Sequence, residues 1–393
     1  MRILHLIPRY PYFGGDTIVG GAASALRNLV QEQTKDHAVT LVAQMPEEGL
    51  QNPYGGTDCR LVPLHLDVQA TSLRFGAEYT LKAPLAAHRL GRKFDLVHGH
   101  SGHLDYVLAT LAVAKVLGTP AVHTLYCPAT LQSKPARVAV RLGLHDAVLR
   151  HVSAFIGISE NVAASLGAVG VGTHVIRMVH PAVDLVRYAP RWEKEEAQRL
   201  LGQVPPGTPT VLFVGNTKAI KNLETLLDAM VEVVRAIPDA RLVITTELNH
   251  AETAREGFLM ERIRALALDK CVIRLGILPN MPLLMSACDV LVAPFLSTAG
   301  ISDYFMAALE AMSVGRPVIV SSVGGMPEIV DDSIGYLTDP RDARAIAAAI
   351  LELLRDPEKR ARMGRAARAR VVSCFAPESV ARQIEAVYRE VLA

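Results

Sequence analysis

Four blocks within one stretch decide the fold: Asp289-Val290-Leu291-Val292-Ala293-Pro294; Ser302-Asp303-Tyr304-Phe305-Met306-Ala307-Ala308-Leu309-Glu310-Ala311-Met312; Gly315-Arg316-Pro317-Val318-Ile319-Val320; and Gly324-Gly325-Met326-Pro327-Glu328-Ile329-Val330. The first and third are short apolar runs bounded by turn or charged residues, the mark of buried strands. The second has apolar residues at helical spacing. The fourth opens on a glycine turn. Strand, loop, helix, strand, turn, helix is the rhythm of an α/β domain built on a parallel sheet.

The rhythm continues in both directions. Upstream, strands are expected at Val211–Val214, Arg241–Thr245 and Val272–Leu275, with an amphipathic helix over Leu223–Ile237. Before the Pro/Gly-rich region around Pro190–Thr210, the same pattern runs once more. Strands are expected at Ile3–Ile7, Val39–Val42, Leu96–His98, Pro120–Thr124, Ala154–Ile158 and Val175–Met178, with helices over Ala22–Thr34 and Tyr106–Leu117. Two doubly wound sheets in one chain follow, and ligands of such sheets sit at the carboxyl ends of the strands.

The composition of the 393 residues agrees. Half are apolar, which suffices for two cores, and no apolar run reaches the ~20 residues that span a bilayer. The formal net charge of +2 argues against nucleic acid as the partner. Cys59, Cys127, Cys271, Cys288 and Cys374 form no ligand spacing and read as free thiols. With no signal-peptide pattern ahead of the first strand, the expected location is cytoplasmic. Of thirteen histidines only His250 lies beyond His180, so the two halves are expected to do different work. No G-x-G-x-x-G follows the first strand and no G-x-x-x-x-G-K-[ST] occurs, which removes the common dinucleotide and P-loop readings.

Several residues invite chemistry on their own. The N–H groups opening the helix at Phe305 and Met306 offer an anion site. Glu310 on the same helix can accept from both hydroxyls of a ribose, or equally pair with a nearby arginine. Gly20-Gly21 opens a helix where backbone can approach a phosphate closely. His98-Gly99-His100 ends a strand; its spacing hints at a metal, but no third ligand stands at a supporting distance. Lys134, Arg137 and Arg141 share a helix face, either solvated or facing an anionic acceptor.

The Ala287–Val330 stretch strongly resembles the retaining GT-B glycosyltransferases of family four, the group 1 glycosyltransferases. Glu310 matches the family's ribose-binding glutamate. Ser302 stands where the family has a carboxylate on the donor sugar, with Asp303 beside it as a substitute. Gly215-Asn216-Thr217-Lys218-Ala219-Ile220-Lys221 resembles the diphosphate-clamping loop. Lys221 matches its lysine, and Asn216 replaces the usual arginine. Ile277 falls where family backbone groups pair with the base. Asp95-Leu96-Val97-His98-Gly99-His100 resembles a strand-end motif that would bring His100 to the donor sugar. Tyr126 takes the place of a family histidine.

The resemblance implies two Rossmann-like doubly wound domains facing each other across a cleft. Residues 1–189 would bind the acceptor and 190–376 the nucleotide-sugar donor, with a helix over 377–393 packing back on the first domain. It implies retaining transfer of a sugar, UDP-linked by expectation, to a sugar, lipid or small-molecule acceptor. Lys221, His100 and Asp303 would be catalytic, and Gly20, Gly21, Asn216, Lys221, Ile277, Phe305, Met306 and Glu310 would bind the donor. No metal or other cofactor is expected. The changes at Asn216 and Ser302 leave a rival, a catalytically weak nucleotide-sugar-binding or partner protein. An epimerase or phosphorylase on the same fold is a third reading.

Overall fold

The computed structural model describes the whole chain apart from residues 9–12, 15–16, 19, 45–58, 67–71, 92, 130–148, 216, 246–252, 277 and 299–300. Two compact units emerge. The first contains Met1–Ala182, Ala299–Asp303 and Pro377–Ala393, and the second Val183–Thr298 and Tyr304–Ala376.

The strands of the first unit are β1 (Arg2–Ile7), β4 (Ala38–Gln44), β5 (Arg60–Leu64), β6 (Leu96–Ser101), β7 (Ala121–Leu125), β8 (Ala154–Gly157) and β9 (Ile176–Met178). They form one seven-stranded sheet in the order β5-β4-β1-β6-β7-β8-β9, every pair parallel. A two-residue hairpin, β2 (Phe13–Gly14) with β3 (Thr17–Ile18), stands apart. Strand alternation divides the core. Ile3, Ile7, Leu41 and Leu96 face helices α1 (Gly21–Gln33) and α13 (Pro377–Leu392), where Leu26, Val30, Ile384 and Tyr388 meet them. Leu4, Leu6, Val42 and Val97 face the other way, onto α2 (Ser72–Leu90) and α3 (Val107–Leu117) through Tyr79, Ala83 and Val113. Both faces are covered, so most strand residues are apolar whichever way they face, in keeping with the positive mean hydropathy. A short helix, α4 (Glu160–Ala168), is capped by the Ser159 hydroxyl, which accepts from the Val162 N–H.

The second unit repeats the plan. Its strands are β10 (Thr210–Val214), β11 (Arg241–Thr245), β12 (Val272–Leu275), β13 (Val290–Ala293), β14 (Val318–Ser321) and β15 (Gly335–Thr338). They pair in parallel in the order β12-β11-β10-β13-β14-β15. The order reverses between β10 and β13, so their carboxyl ends open the crevice where doubly wound sheets hold ligands. Helices α5 (Lys194–Leu201), α6 (Leu223–Ala236), α7 (Thr253–Ala265), α8 (Met281–Ser286), α9 (Met306–Ser313), α10 (Met326–Ile329), α11 (Ala343–Arg355) and α12 (Pro357–Phe375) complete the unit. Asp289, 1% exposed at the foot of β13, binds Lys194 at 3.0 Å and Arg360 at 3.2 Å and accepts from the Thr210 N–H at 2.8 Å. That cluster ties the two switch-point strands to α5 and α12.

Expected and observed elements agree to within a few residues at their ends. The sequence reading did not assign β5, β15 or α2. Among the described residues no helix is long and apolar enough to cross a membrane.

Candidate active site

In the second unit the loop after β10 makes one tight helical turn, Ala219–Lys221, and stops at Asn222 in the left-handed region. Asn222 is buried, and its amide donates to the carbonyls of Pro294 at 3.0 Å and Pro340 at 2.6 Å. The Leu296 N–H reaches the Ile220 carbonyl at 2.9 Å. The loops leaving β10 and β13 are therefore stitched together across the switch point.

This stitching places Lys221. Its ammonium lies 3.7 Å from the centre of the Phe295 ring, a cation–π distance. Burial lowers its pKa to about 8, and the neighbouring Lys218 adds repulsion. Phe295 rests on Phe305 with ring centres 4.2 Å apart, and Phe213 closes edge-on from below. Phe305 is the residue before α9. Its N–H points at the Met326 sulfur, 3.5 Å away, a weak acceptor. A cation, an aromatic shelf and a helix N-terminus thus share one end of the sheet, and Met306 opens that helix as expected.

One turn further on, α9 carries Glu310. Burial raises its carboxyl pKa to about 7; the nearby Tyr188 hydroxyl and the charge of Arg187 favour the ionised form, and Asp184 opposes it. Asn216 and Ile277 lie outside the described residues, as do Lys134, Arg137 and Arg141.

In the first unit Gly20 precedes α1 with φ 114°, a conformation that only glycine adopts without strain. Gly20 is exposed and Gly21 half-buried at the helix start. His100 does end β6, but it is 1% exposed and both ring nitrogens are engaged. Nε2 lies 2.8 Å from His5 Nδ1, and Nδ1 lies 3.2 Å from the Tyr126 hydroxyl. His5 Nε2 meets Gln33 Oε1 at 2.9 Å, and the Gln33 amide nitrogen meets the Tyr388 hydroxyl at 3.4 Å. That hydroxyl meets His98 Nδ1 at 2.6 Å, and His98 Nε2 meets Thr124 Oγ1 at 2.7 Å.

With Gln33 so oriented, one direction satisfies every group. Gln33 Oε1 can only accept, so His5 Nε2 donates and its Nδ1 accepts from His100 Nε2. His100 Nδ1 then accepts from Tyr126. On the other branch the Gln33 amide donates to Tyr388, which donates to His98 Nδ1, and His98 Nε2 donates to Thr124. Burial lowers the pKa of His5 to about 4 and those of His98 and His100 well below the ordinary value, so all three rings are neutral near pH 7.

The third histidine that the sequence spacing lacked is therefore His5, brought beside His98 and His100 from β1. Among the described residues these three are a group whose ligand atoms could converge on a metal ion, but each nitrogen is already committed to a protein partner. Both ring nitrogens of His100 are thus engaged by His5 and Tyr126.

Asp303 is likewise engaged within the protein. Its carboxylate is buried, accepting from Ser159 Oγ at 2.6 Å and Asn161 Nδ2 at 2.9 Å at the N-terminus of α4. Its N–H donates to the Tyr126 carbonyl at 2.8 Å, and the Cys127 thiol donates to the Ile301 carbonyl at 2.8 Å. These bonds fasten residues 301–303 to the segment after β7 and to the start of α4. Ser302 Oγ, at the position of the family carboxylate, is buried without a hydrogen-bond partner.

Two Rossmann-like units, each on a parallel doubly wound sheet, are the architecture of the GT-B fold. The model of the glycosyl transferases group 1 matches residues 195–370, and that of glycosyltransferase family 4 matches residues 19–187. The chain belongs to the group 1 glycosyltransferases. It is 30% identical over 320 residues to a D-inositol 3-phosphate glycosyltransferase of Segniliparus rotundus, covering 76% of this chain and 67% of that protein. A protein of the same name from Streptomyces avermitilis is 28% identical over 77% of this chain, and the match spans 66% of its own length. In fold, the chain is similar to Anabaena Alr3699/HepE, solved with UDP and glucose, with a TM-score of 0.78, 19% identity and 99% of each chain covered.

Proposed function

We propose that this protein transfers a sugar from a UDP-linked donor to an acceptor hydroxyl with retention at the anomeric carbon. The observation that carries the proposal is the grouping of Lys221, the start of α9 at Phe305 and Met306, and Glu310 at the switch-point end of the second sheet. The diphosphate would lie against Lys221 and the α9 N-terminus, and the ribose hydroxyls would donate to Glu310. As the bond from the anomeric carbon to the leaving phosphate oxygen breaks, negative charge grows on the diphosphate. Lys221 and the helix dipole stabilise that charge more than they do the ground state. The acceptor oxygen bonds to the same face of the sugar, and its proton passes to the departing phosphate. No metal or other cofactor enters this scheme.

The neighbour solved with UDP supports the choice of base, and the relatives' names support a polyol- or sugar-like acceptor. His100 and Asp303 act in this reading as positioning residues, holding Tyr126 and the loop around Ser302. Five free cysteines support a reducing, cytoplasmic setting.

The test is a panel of UDP-, GDP- and ADP-sugars with sugar, polyol-phosphate and lipid acceptors, with products read by NMR. Transfer from a UDP-sugar with the anomeric configuration kept is the expected result. Donor binding without turnover across the panel would instead favour the catalytically weak reading that Ser302 motivates. Glu310→Gln should raise the KM for the donor about tenfold, the value of a lost charged hydrogen bond.

Proton exchange gives a second check. Ribose hydroxyls favour ionised Glu310, so its pKa falls from about 7 on binding and a proton leaves near pH 7. An anionic diphosphate favours charged Lys221, so its pKa rises from about 8 and a proton is taken up at higher pH. Calorimetry of UDP binding in buffers of different ionisation enthalpy should show net release near pH 7 turning to net uptake near about pH 8.5.

A further inference from the structure

We infer that Asn222 is a positioning residue for the leaving group, holding the backbone of Lys221 so that its ammonium stays over Phe295. The inference rests on the leaving-group role given to Lys221 above. Lys221 and Phe295 each sit between two residues that bond across to the other's neighbours. The Leu296 N–H donates to the Ile220 carbonyl at 2.9 Å, and the Asn222 side-chain amide donates to the Pro294 carbonyl at 3.0 Å. The cation and the ring beneath it are thus the middle positions of a two-rung ladder. One rung is backbone and the other is the asparagine side chain. The same amide donates to the Pro340 carbonyl at 2.6 Å, which ties in the loop after β15.

Asn222 stands at the N-cap of α6, where an asparagine commonly accepts from a helix N–H with its side-chain oxygen. It makes no such bond here. Its oxygen accepts from the Thr225 hydroxyl at 2.9 Å instead. The two loop carbonyls can only accept, so the amide nitrogen must face them and the oxygen must face Thr225. Both amide protons and the oxygen are therefore used, on a side chain 7% exposed. The backbone of Asn222 has φ 54°, a left-handed conformation that asparagine tolerates and glycine adopts freely. Glycine would serve the turn as well. What the carboxamide adds is the rung beside Lys221.

The experiment measures steady-state sugar transfer by Asn222→Gly, which keeps the turn and removes the carboxamide, with thermal melting as the check on folding. A cation misplaced by an ångström costs up to about 100-fold, so kcat should fall about 10- to 100-fold with less than about a threefold change in KM. The decisive comparison is in a Lys221→Ala background. There Asn222→Gly should change kcat by less than about twofold, because no ammonium is left to place. Wild-type kcat in Asn222→Gly, or the same loss with and without Lys221, overturns the inference. If Asn222→Gly does not fold, Thr225→Val decides in its place. It leaves the amide oxygen without its donor and should lower kcat about threefold, again only when Lys221 is present; no loss, or a loss independent of Lys221, overturns the inference. If Lys221→Ala itself turns over like the wild type, the leaving-group reading of Lys221 fails, an outcome separate from failure of the asparagine's role.

Discussion

Lys221→Ala should lower kcat for sugar transfer by about 100- to 1000-fold, with a smaller change in KM. Removing one preorganised donor from a developing oxyanion costs roughly that factor. Lys221 has what such a donor needs. It is half-buried, and its ammonium is held 3.7 Å from the Phe295 ring, with Phe295 in turn seated on Phe305. The aromatic shelf strips the ammonium of water, which is why its pKa falls to about 8. A desolvated cation gains most where charge appears, and charge appears on the leaving diphosphate in the transition state. Steady-state kinetics with a saturating acceptor would check this. A mutant that loses affinity and turnover equally, or neither, would remove Lys221 from the leaving-group role.

The largest stability effect should come from Asp289→Ala, a loss of about 3–5 kcal/mol from the second unit. The carboxylate is almost fully buried, with Lys194, Arg360 and the Thr210 N–H around it. Removing it leaves Lys194 and Arg360, both mostly buried, without their shared counter-charge, and leaves the Thr210 N–H without its carboxylate acceptor. An uncompensated buried charge costs far more than the intact cluster gains. Asp289→Asn should cost less, since a side-chain carbonyl can still accept from Thr210. Denaturant unfolding followed by far-UV dichroism would measure both. A loss below about 1 kcal/mol for the alanine variant would show that solvent reaches the cluster.

The fold was legible because both sheets are parallel and buried on both faces, so β1, β4, β10, β13 and β14 stand out as apolar runs. β15 escaped notice because Gly335-Tyr336-Leu337-Thr338 is short, with Tyr336 only partly buried and Leu337 exposed. In α2 the periodicity passes through Pro84, which reads locally as a break. Lys221 and Glu310 could be placed from the sequence, on the loop after β10 and the helix after β13, because their motifs resemble those of the family. The surroundings of His100 and Asp303 were not. His100 meets His5 from 95 positions away, and Asp303 meets Ser159 from 144. Nothing near either residue in sequence announces a partner that would occupy it. The histidine imbalance did point to a special first half, but its content is a neutral hydrogen-bond chain within the core.

The make-up of the first unit bears on how the protein is made. Translation delivers Met1–Ala182 early, yet the unit is completed only by residues 299–303 and 377–393. At about 5–20 residues per second, roughly 10–40 s separate Ala182 from Pro377 at the ribosome. Through that interval Ile3, Leu26, Val30 and Leu41 lack the cover of Ile384 and Tyr388, and His98 lacks its tyrosine partner. The unit whose strands leave the ribosome first is thus completed by the last helix of the chain, and a nascent chain stalled before α13 should present an uncovered sheet face to holding chaperones.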